Sequence, residues 1–482
     1  MVHERLIDGI SRRELLALGL GASAYSAATP GETRQATGCK AGEMTPESVR
    51  FWLRRTAASS RLANGILRKG DGKNAALLPP DTATALLEGS AEGAPGYMRI
   101  LYKGASSGAT PWLEVDRAAD FTAQTTITGL RPASGYTYAI ETRAARNRRV
   151  DGEWTGAFRT LPLPSSSAPA SIALLSCQMY CHMDRPDGFH IYESIQRDAP
   201  QFLLSCGDNV YYDNEDPIAN TEAVARYHWQ RMYSLPTLVN CLRHIGGYWQ
   251  KDDHDTLTND VWPGMPARKS APFTFAQGQR IFREQVPAPP PFAPMYRTVR
   301  AGADLELWLP DSRDYRSPNN APDGPGKSIW GLEQKRWLLA SLQASNATWK
   351  VLVNPNPIVG PDRQTKNDNH ANTGFSHESQ EVRRFLRSNF DGNVISVCGD
   401  RHWQYHSVDP ETGLHEFGCG AASDEHAGGT PGFDPLRHRF HRVLGGYVSI
   451  EVARDGGVSS LRLRHRDVRG STVHEHRFER KA

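Results

Sequence analysis

Five apolar runs of strand length, each stopping at small polar or acidic residues, constrain this chain more than any other feature: Ser171 to Ser176, Gln201 to Ser205, Ala303 to Leu309, Trp349 to Val353 and Asn393 to Val397. Between several of them lie helical patterns, notably Gly331 to Leu342, with apolar residues at helical spacing, and Gln380 to Asn389. Such alternation predicts a layered α/β fold, and in such folds reactive groups gather where strands end. The residues that follow the runs are Cys177-Gln178, Gly207-Asp208-Asn209-Val210-Tyr211, Asp311-Ser312-Arg313, Asn354-Pro355-Asn356 and Gly399-Asp400-Arg401-His402. They are rich in groups that bind metal ions.

The 482 residues allow two or three domains. Ahead of the α/β pattern, residues 36–163 read as short alternating strands: Val49 to Leu53, Tyr97 to Tyr102 and Ala123 to Ile127, separated by Gly, Pro and Asp clusters. Leu130-Arg131-Pro132 followed by Tyr136 resembles the entry to a fibronectin type III strand, in which a tyrosine pins the corner. No titratable cluster stands in this part, so its expected role is scaffolding. Residues 164–170, rich in Ser and Pro, read as a linker. The expected order is therefore an N-terminal fibronectin-III-like β-sandwich followed, over 171–482, by the layered α/β domain.

The first 28 residues read as an address. Ser11-Arg12-Arg13-Glu14-Leu15-Leu16 places paired arginines before an apolar stretch to Ala28, with Ala22-Ser23-Ala24 as a small-residue cleavage site. This predicts a twin-arginine signal peptide, recognition by the twin-arginine export machinery, and a folded protein in the periplasm or secreted. Lys and Arg number 56 against 53 Asp and Glu, and their mixing along the chain argues against a nucleic-acid partner. No apolar run reaches the roughly 18 residues of a membrane span. Seven cysteines, an odd number, argue against a dense disulfide framework.

Each strand-end motif has its own chemistry. A Gly-Asp pair presents a carboxylate at a sheet edge, and Asp208 so placed can bridge two cations. Tyr211 is a rare ligand, because a phenol of pKa about 10 gives up its proton only to a strongly acidic ion such as Fe(III). Lys251-Asp252-Asp253-His254-Asp255, with Asn259 six residues beyond Asp253, collects acids that repel one another unless cations neutralise them, and oxygen ligands suit calcium or magnesium. Asp400 and His402 are expected on one side of an extended backbone. Cys177 adds a thiolate, which favours a softer or more acidic ion than calcium.

Together and in this order the motifs resemble those of the PhoD-like alkaline phosphatases, as do Gly38 to Thr45 and Trp52 to Thr56 near the start. The resemblance implies a metallophosphoesterase-type α/β/β/α domain with an iron and calcium cluster, Fe3+ and Ca2+, hydrolysing phosphate mono- and diesters with a metal-activated water. It implies Cys177, Asp208, Tyr211, Asp400 and His402 around iron, and Asp253 and Asn259 toward calcium with Asp208 shared. The chemistry of the residues themselves adds that His254 or an arginine is expected to assist the leaving group, and that Arg313, Arg316 and Arg401 at the strand ends are expected to hold the anionic phosphate-ester substrate bidentately. Two segments depart from the family pattern: Asn367 to Asn372, and Lys251, where an apolar or aromatic residue is common. The Pro-rich stretch Trp262 to Tyr296 and Asn367 to Asn372 are expected to form a lid or wall over the metals.

Two rival readings stand beside this one. A purple acid phosphatase shares the Gly-Asp-x-x-Tyr string but needs Gly-Asn-His-Glu, and the chain has no Gly-Asn-His. An exported binding protein with a structural metal site would not need arginines at the strand ends. The one Gly-x-Ser-x-Gly string, Gly104 to Gly108, falls in a β turn and lacks the helix that a nucleophile elbow opens.

Overall fold

The computed structural model describes residues 33–481, so the twin-arginine segment lies outside the described residues. Two large sheets organise the molecule. The nine-stranded sheet runs, edge to edge, Thr472–Lys481, Val458–Asp467, Gly446–Asp455, Ala170–Leu175, Phe202–Cys206, Gly247–Gln250, Lys40–Gly42, Ser48–Arg54 and Thr122–Thr128. The seven-stranded sheet runs Arg297–Ala301, Leu305–Leu309, Trp349–Asn354, Val394–Cys398, His415–Cys419, Gln404–Val408 and His438–Arg442.

All five apolar runs are strands, and each is covered on both faces, which is why none shows clean polar alternation. Ile172, Leu174, Phe202 and Leu204 point into a core shared with Leu307, Val351, Val353, Ile395 and Phe417 of the other sheet. Their neighbours Ala173, Leu175 and Leu203 face outward, under the helices His190–Asp198, Glu222–Tyr233, Pro236–Leu242 and Phe275–Gln285. Trp308, Leu352 and Val394 meet Leu338 and Leu342 of the helix Gly331–Ala344 and Val382 and Leu386 of Ser376–Asn389 on the opposite outer face. The result is the four-layer α/β/β/α arrangement.

The N-terminal sandwich is less separate than a linker at 164–170 suggests. Strands Lys40–Gly42, Ser48–Arg54 and Thr122–Thr128 extend the nine-stranded sheet, joined to it by a parallel pairing of Gly42 with Gly247. Their inward side chains Val49, Phe51 and Ile127 pack on Met98, Ile100, Tyr138 and Phe158 of the small third sheet. Trp52 Nε1 donates to the Glu284 carbonyl at 2.7 Å and Lys40 Nζ to the Gln285 carbonyl at 2.7 Å, fixing the sandwich to the C-terminal turn of the Phe275–Gln285 helix. The corner tyrosine is present: the Tyr136 hydroxyl accepts the Arg131 N–H at 2.8 Å.

Parallel pairing decides where the chemistry sits. Ala170–Leu175, Phe202–Cys206 and Gly247–Gln250 run parallel in one sheet. Leu305–Leu309, Trp349–Asn354, Val394–Cys398 and His415–Cys419 run parallel in the other. Their carboxyl ends meet at one edge of the stacked sheets, as the hydrogen bond from Gln250 Nε2 to the Val353 carbonyl at 3.0 Å records. The approach is close enough to require glycine. A Cβ on Gly399 would lie 2.7 Å from the Cys206 carbonyl oxygen and 2.4 Å from Ser176 Oγ, and one on Gly207, whose φ is +99°, would lie 2.7 Å from Asp252 Cβ.

Among the described residues no helix is long and apolar enough to cross a membrane.

Candidate metal centre

Three residues that stand two positions past strand ends, Cys177, Asp208 and Asp400, have φ of +56°, +53° and +63°. Left-handed backbone at three non-glycine residues is uncommon, and it clusters at functional sites where the surrounding structure holds it. Here it turns each chain sharply at its strand end and aims the side chain into the seam. This corrects the expectation of an extended Asp400–His402 segment: the chain turns at Asp400, with the Arg401 N–H on the Gly399 carbonyl at 2.7 Å.

Asp208 stands at the centre. Its Oδ2 accepts from Tyr211 Oη at 3.2 Å and from Cys177 Sγ at 3.4 Å, while its Oδ1 is buried and has no hydrogen-bond partner among the described residues. Donor atoms of Cys177, Asp208 and His402 lie within 4.8 Å of one another, and so do those of Asp208, Asp253 and His254. One carboxylate thus belongs to two donor groups. Tyr211 Oη is 3.4 Å from His402 Nε2, which places the phenol with the first group.

The electrostatics call for cations. Burial, then the nearby Asp253, pushes the Asp208 carboxyl well above the ordinary carboxylate range. Burial and Asp208 do the same to the Cys177 thiol and the Tyr211 phenol. In all three the charged form is disfavoured until positive charge arrives. Burial, with Arg401 and His254 beyond it, lowers His402 to about 3, so its imidazole is neutral, the form that ligates. Burial would raise Asp253, but Arg313 and His254 outweigh it and hold that carboxyl ionised. Burial would lower His254, yet Asp213 and Asp253 raise it well above 6.5, so it carries a proton. An orphaned carboxylate oxygen, a thiol, a phenol and a neutral imidazole together fit a strongly Lewis-acidic ion, and the ionised Asp253 beside Asp208 fits a hard one.

His254 is fixed by its Nδ1 on Asp213 Oδ1 at 2.6 Å and by its ring lying 4.4 Å from that of Tyr211. Asn259 stands apart from the group. Its side chain is exposed and its backbone N–H is bound to Asp213 Oδ2 at 2.7 Å, so its contribution here is to hold the carboxylate that orients His254.

Arg313 and Arg401, expected to grip substrate, are both fully buried and committed to acids. Arg313 Nε donates to Asp252 and its Nη2 is 3.8 Å from Asp253 Oδ1. Arg401 Nη1 donates to Asp362 at 2.8 Å, and its Nη2 to Asp400. Two buried carboxylates in succession are tolerable only with a fixed positive partner, and the planar guanidinium supplies it. Lys251 is explained the same way: its ammonium pairs with Asp311, and with Asp314 at 2.8 Å, inside the protein.

The expected lid takes a different place. Residues 286–297 dock on the N-terminal sandwich, with the Ala288 N–H on Gln124 Oε1 at 3.3 Å and Arg297 paired with Glu43 at 2.5 Å. A Pro-rich run lacks amide donors and is satisfied lying along another surface. Asp368, Asn369 and His370 of the divergent 367–372 segment are buried, and the Asp368 carboxylate lies 3.8 Å from Arg401 and 3.7 Å from Lys366. That segment is a charge buttress under the site.

One participant, His426, escaped the sequence, and the strand-end Asn356 takes a bridging place. His426 Nε2 is 3.0 Å from Tyr211 Oη, its ring is 4.0 Å from that of His402, and its Nδ1 meets His182 Nδ1 at 3.0 Å. His426 follows the strand His415–Cys419, the fourth parallel strand of its sheet, which is too polar to stand out as an apolar run. Asn356 Nδ2 donates to Asp252 at 2.9 Å and reaches Asp400 at 3.4 Å, bridging two acids from different strand ends.

The family described as PhoD-like phosphatase matches residues 172–442. Alkaline phosphatase D of Bacillus subtilis (strain 168) is 23% identical over 322 residues, an alignment spanning 57% of this chain and 52% of that protein. The chain thus aligns with about half the length of that relative. A solved structure of PhoD superposes with a TM-score of 0.69 at 17% identity, covering 94% of this chain and 92% of that one, which shows a common fold.

Proposed function

The chain belongs to the PhoD-like phosphatase family, and from that premise we propose that it is an exported phosphoesterase, cleaving phosphate mono- and diesters with a water activated at an iron and calcium centre. The observation that carries this reading is Asp208, shared by two donor groups and with one oxygen unpartnered. When bound, the ions supply positive charge that offsets the oxygens of the ester and a water acidified enough to act as nucleophile near neutral pH. Cys177, Tyr211, Asp208 and His402 would hold the strongly acidic ion, with Asp400 beside them. Asp208 and Asp253 would hold the hard one. The residues around them do the rest. Arg313 and Arg401 keep Asp252, Asp253 and Asp400 in place, and Asp213 holds protonated His254 with its second ring nitrogen directed away from that bond, suited to give a proton to the departing alkoxide.

Assay of the purified protein with p-nitrophenyl phosphate and with its bis-ester tests the activity directly. Metal-dependent release of p-nitrophenol from either is expected, and no release from both with a full metal complement would overturn the proposal.

Metal identity has its own signature. Thiolate and phenolate donation to Fe(III) gives a visible charge-transfer band, so the protein as isolated should be coloured, and Tyr211→Phe should shift or bleach the band and slow turnover. Zinc as the sole metal, with a colourless protein, would rule iron out.

The export proposal rests on Arg12 and Arg13, because the machinery reads the paired guanidinium groups. Replacing both with lysine should leave the precursor in the cytoplasm. Normal appearance of the double variant outside would refute a twin-arginine route.

A further inference from the structure

Away from the centre described above, histidines from three strands converge at the seam between the sheets. His406 is on Gln404–Val408, His415 on the neighbouring strand His415–Cys419, and His476 on Thr472–Lys481 at the edge of the nine-stranded sheet. In the antiparallel ladder His406 faces Phe417 and Val408 faces His415, so His406 and His415 are diagonal neighbours on one face. His406 Nε2 and His415 Nδ1 are 2.9 Å apart. The ring of His476 is 4.8 Å from that of His406 and 5.1 Å from that of His415, and one ring nitrogen from each of the three lies within 4.8 Å of the others.

We propose that His406, His415 and His476 form a second metal site, for one borderline divalent cation of the zinc, copper or nickel class, which ties the C-terminal edge strand to the seven-stranded sheet. A tetrahedral ion with bonds of about 2.0 Å to nitrogen needs ligand atoms about 3.3 Å apart; one pair stands at 2.9 Å and all three ligand atoms lie within 4.8 Å of one another. The donors are all imidazole, which selects against calcium and magnesium. His406 is braced as metal-binding histidines are: its other nitrogen, Nδ1, is 3.0 Å from His474 Nε2, so an Nδ1–H donated there leaves Nε2 free to ligate. Burial and mutual repulsion also hold His406 and His415 below the ordinary histidine range, so both are uncharged at neutral pH. None of the hydrogen bonds of the three histidines runs to the Asp208 centre among the described residues.

The site would serve an edge. Thr472–Lys481 pairs with one strand only, Val458–Asp467, and an edge strand of ten residues is a point of fraying. An ion held by His476 on that strand and by two histidines of the other sheet adds a cross-link at that edge, and binding to the folded state alone raises stability by mass action.

Equilibrium dialysis of the full chain against zinc, after chelator treatment, compares wild type with the double variant His415→Gln, His476→Gln. Both residues are only partly buried, so the variant should fold, and circular dichroism checks that. The double variant should bind one zinc per chain fewer, keep phosphatase activity, and lose a zinc-dependent rise of several degrees in melting temperature. Equal zinc stoichiometry in the two proteins overturns the proposal. Cobalt added to Asp208→Asn gives an arm that needs no histidine variant: the absorption of tetrahedral Co2+ is expected, and its absence also overturns the site.

Discussion

Asp208→Asn should lose bound metal and activity together, with turnover falling by more than about 100-fold, because even outer partners of a metal site typically account for 10- to 100-fold. Asn keeps the shape and tolerates the left-handed backbone at this position, where φ is +53°. The substitution therefore removes charge with little disturbance of the fold. It also removes the cost of a buried carboxyl that neighbouring Asp253 pushes upward, so the metal-free variant should melt no lower than metal-free wild type. Metal per chain, steady-state kinetics and thermal melts on the two metal-free proteins check the three parts. A fully metallated, active variant would overturn the bridging role of Asp208 and, with it, the two-ion centre.

Asp208 is legible in the sequence, whereas other members of the site are not. Gly207-Asp208 and Gly399-Asp400 stood out because each ends an apolar run, and such runs exist here because both faces of their strands are buried. His415–Cys419 is equally parallel and equally close to the site, but it contains His415 and Glu416, and without a run to end, His426 had no marker. The N-terminal sandwich was legible strand by strand, through its alternation and the Tyr136 corner. Its merger with the larger sheet was not, because it depends on a pairing of Gly42 with Gly247, two residues with no side chains to signal it. The place of the Pro-rich stretch is illegible for a related reason. Composition shows that such a segment lies on a surface, and only packing shows which one.

The roles of the arginines were the least legible, because a guanidinium that holds a phosphate and one that holds a carboxylate look alike in sequence. Their burial separates the two roles. Arg313 is 0% exposed, donates to Asp252 and, through Nη1, to the Val261 carbonyl at 3.3 Å, while Asp252 also takes Ser312 Oγ at 3.1 Å and Asn356 at 2.9 Å. Removing the charge leaves Asp252 and Asp253 buried side by side. Arg313→Gln should therefore cost about 3–5 kcal/mol of stability, as breaking a buried pair does. Arg313→Lys should cost less but still a measurable part of it, because one ammonium cannot reproduce the fork that spans both acids. In both variants bound metal per chain should fall, since the carboxyl of Asp253 loses the partner that keeps it ionised. Urea melts, metal analysis and kinetics on the same preparations decide the matter. Wild-type stability and metal content with only KM raised would show instead that Arg313 reaches the substrate and that its pairing with Asp252 gives way when the ester binds.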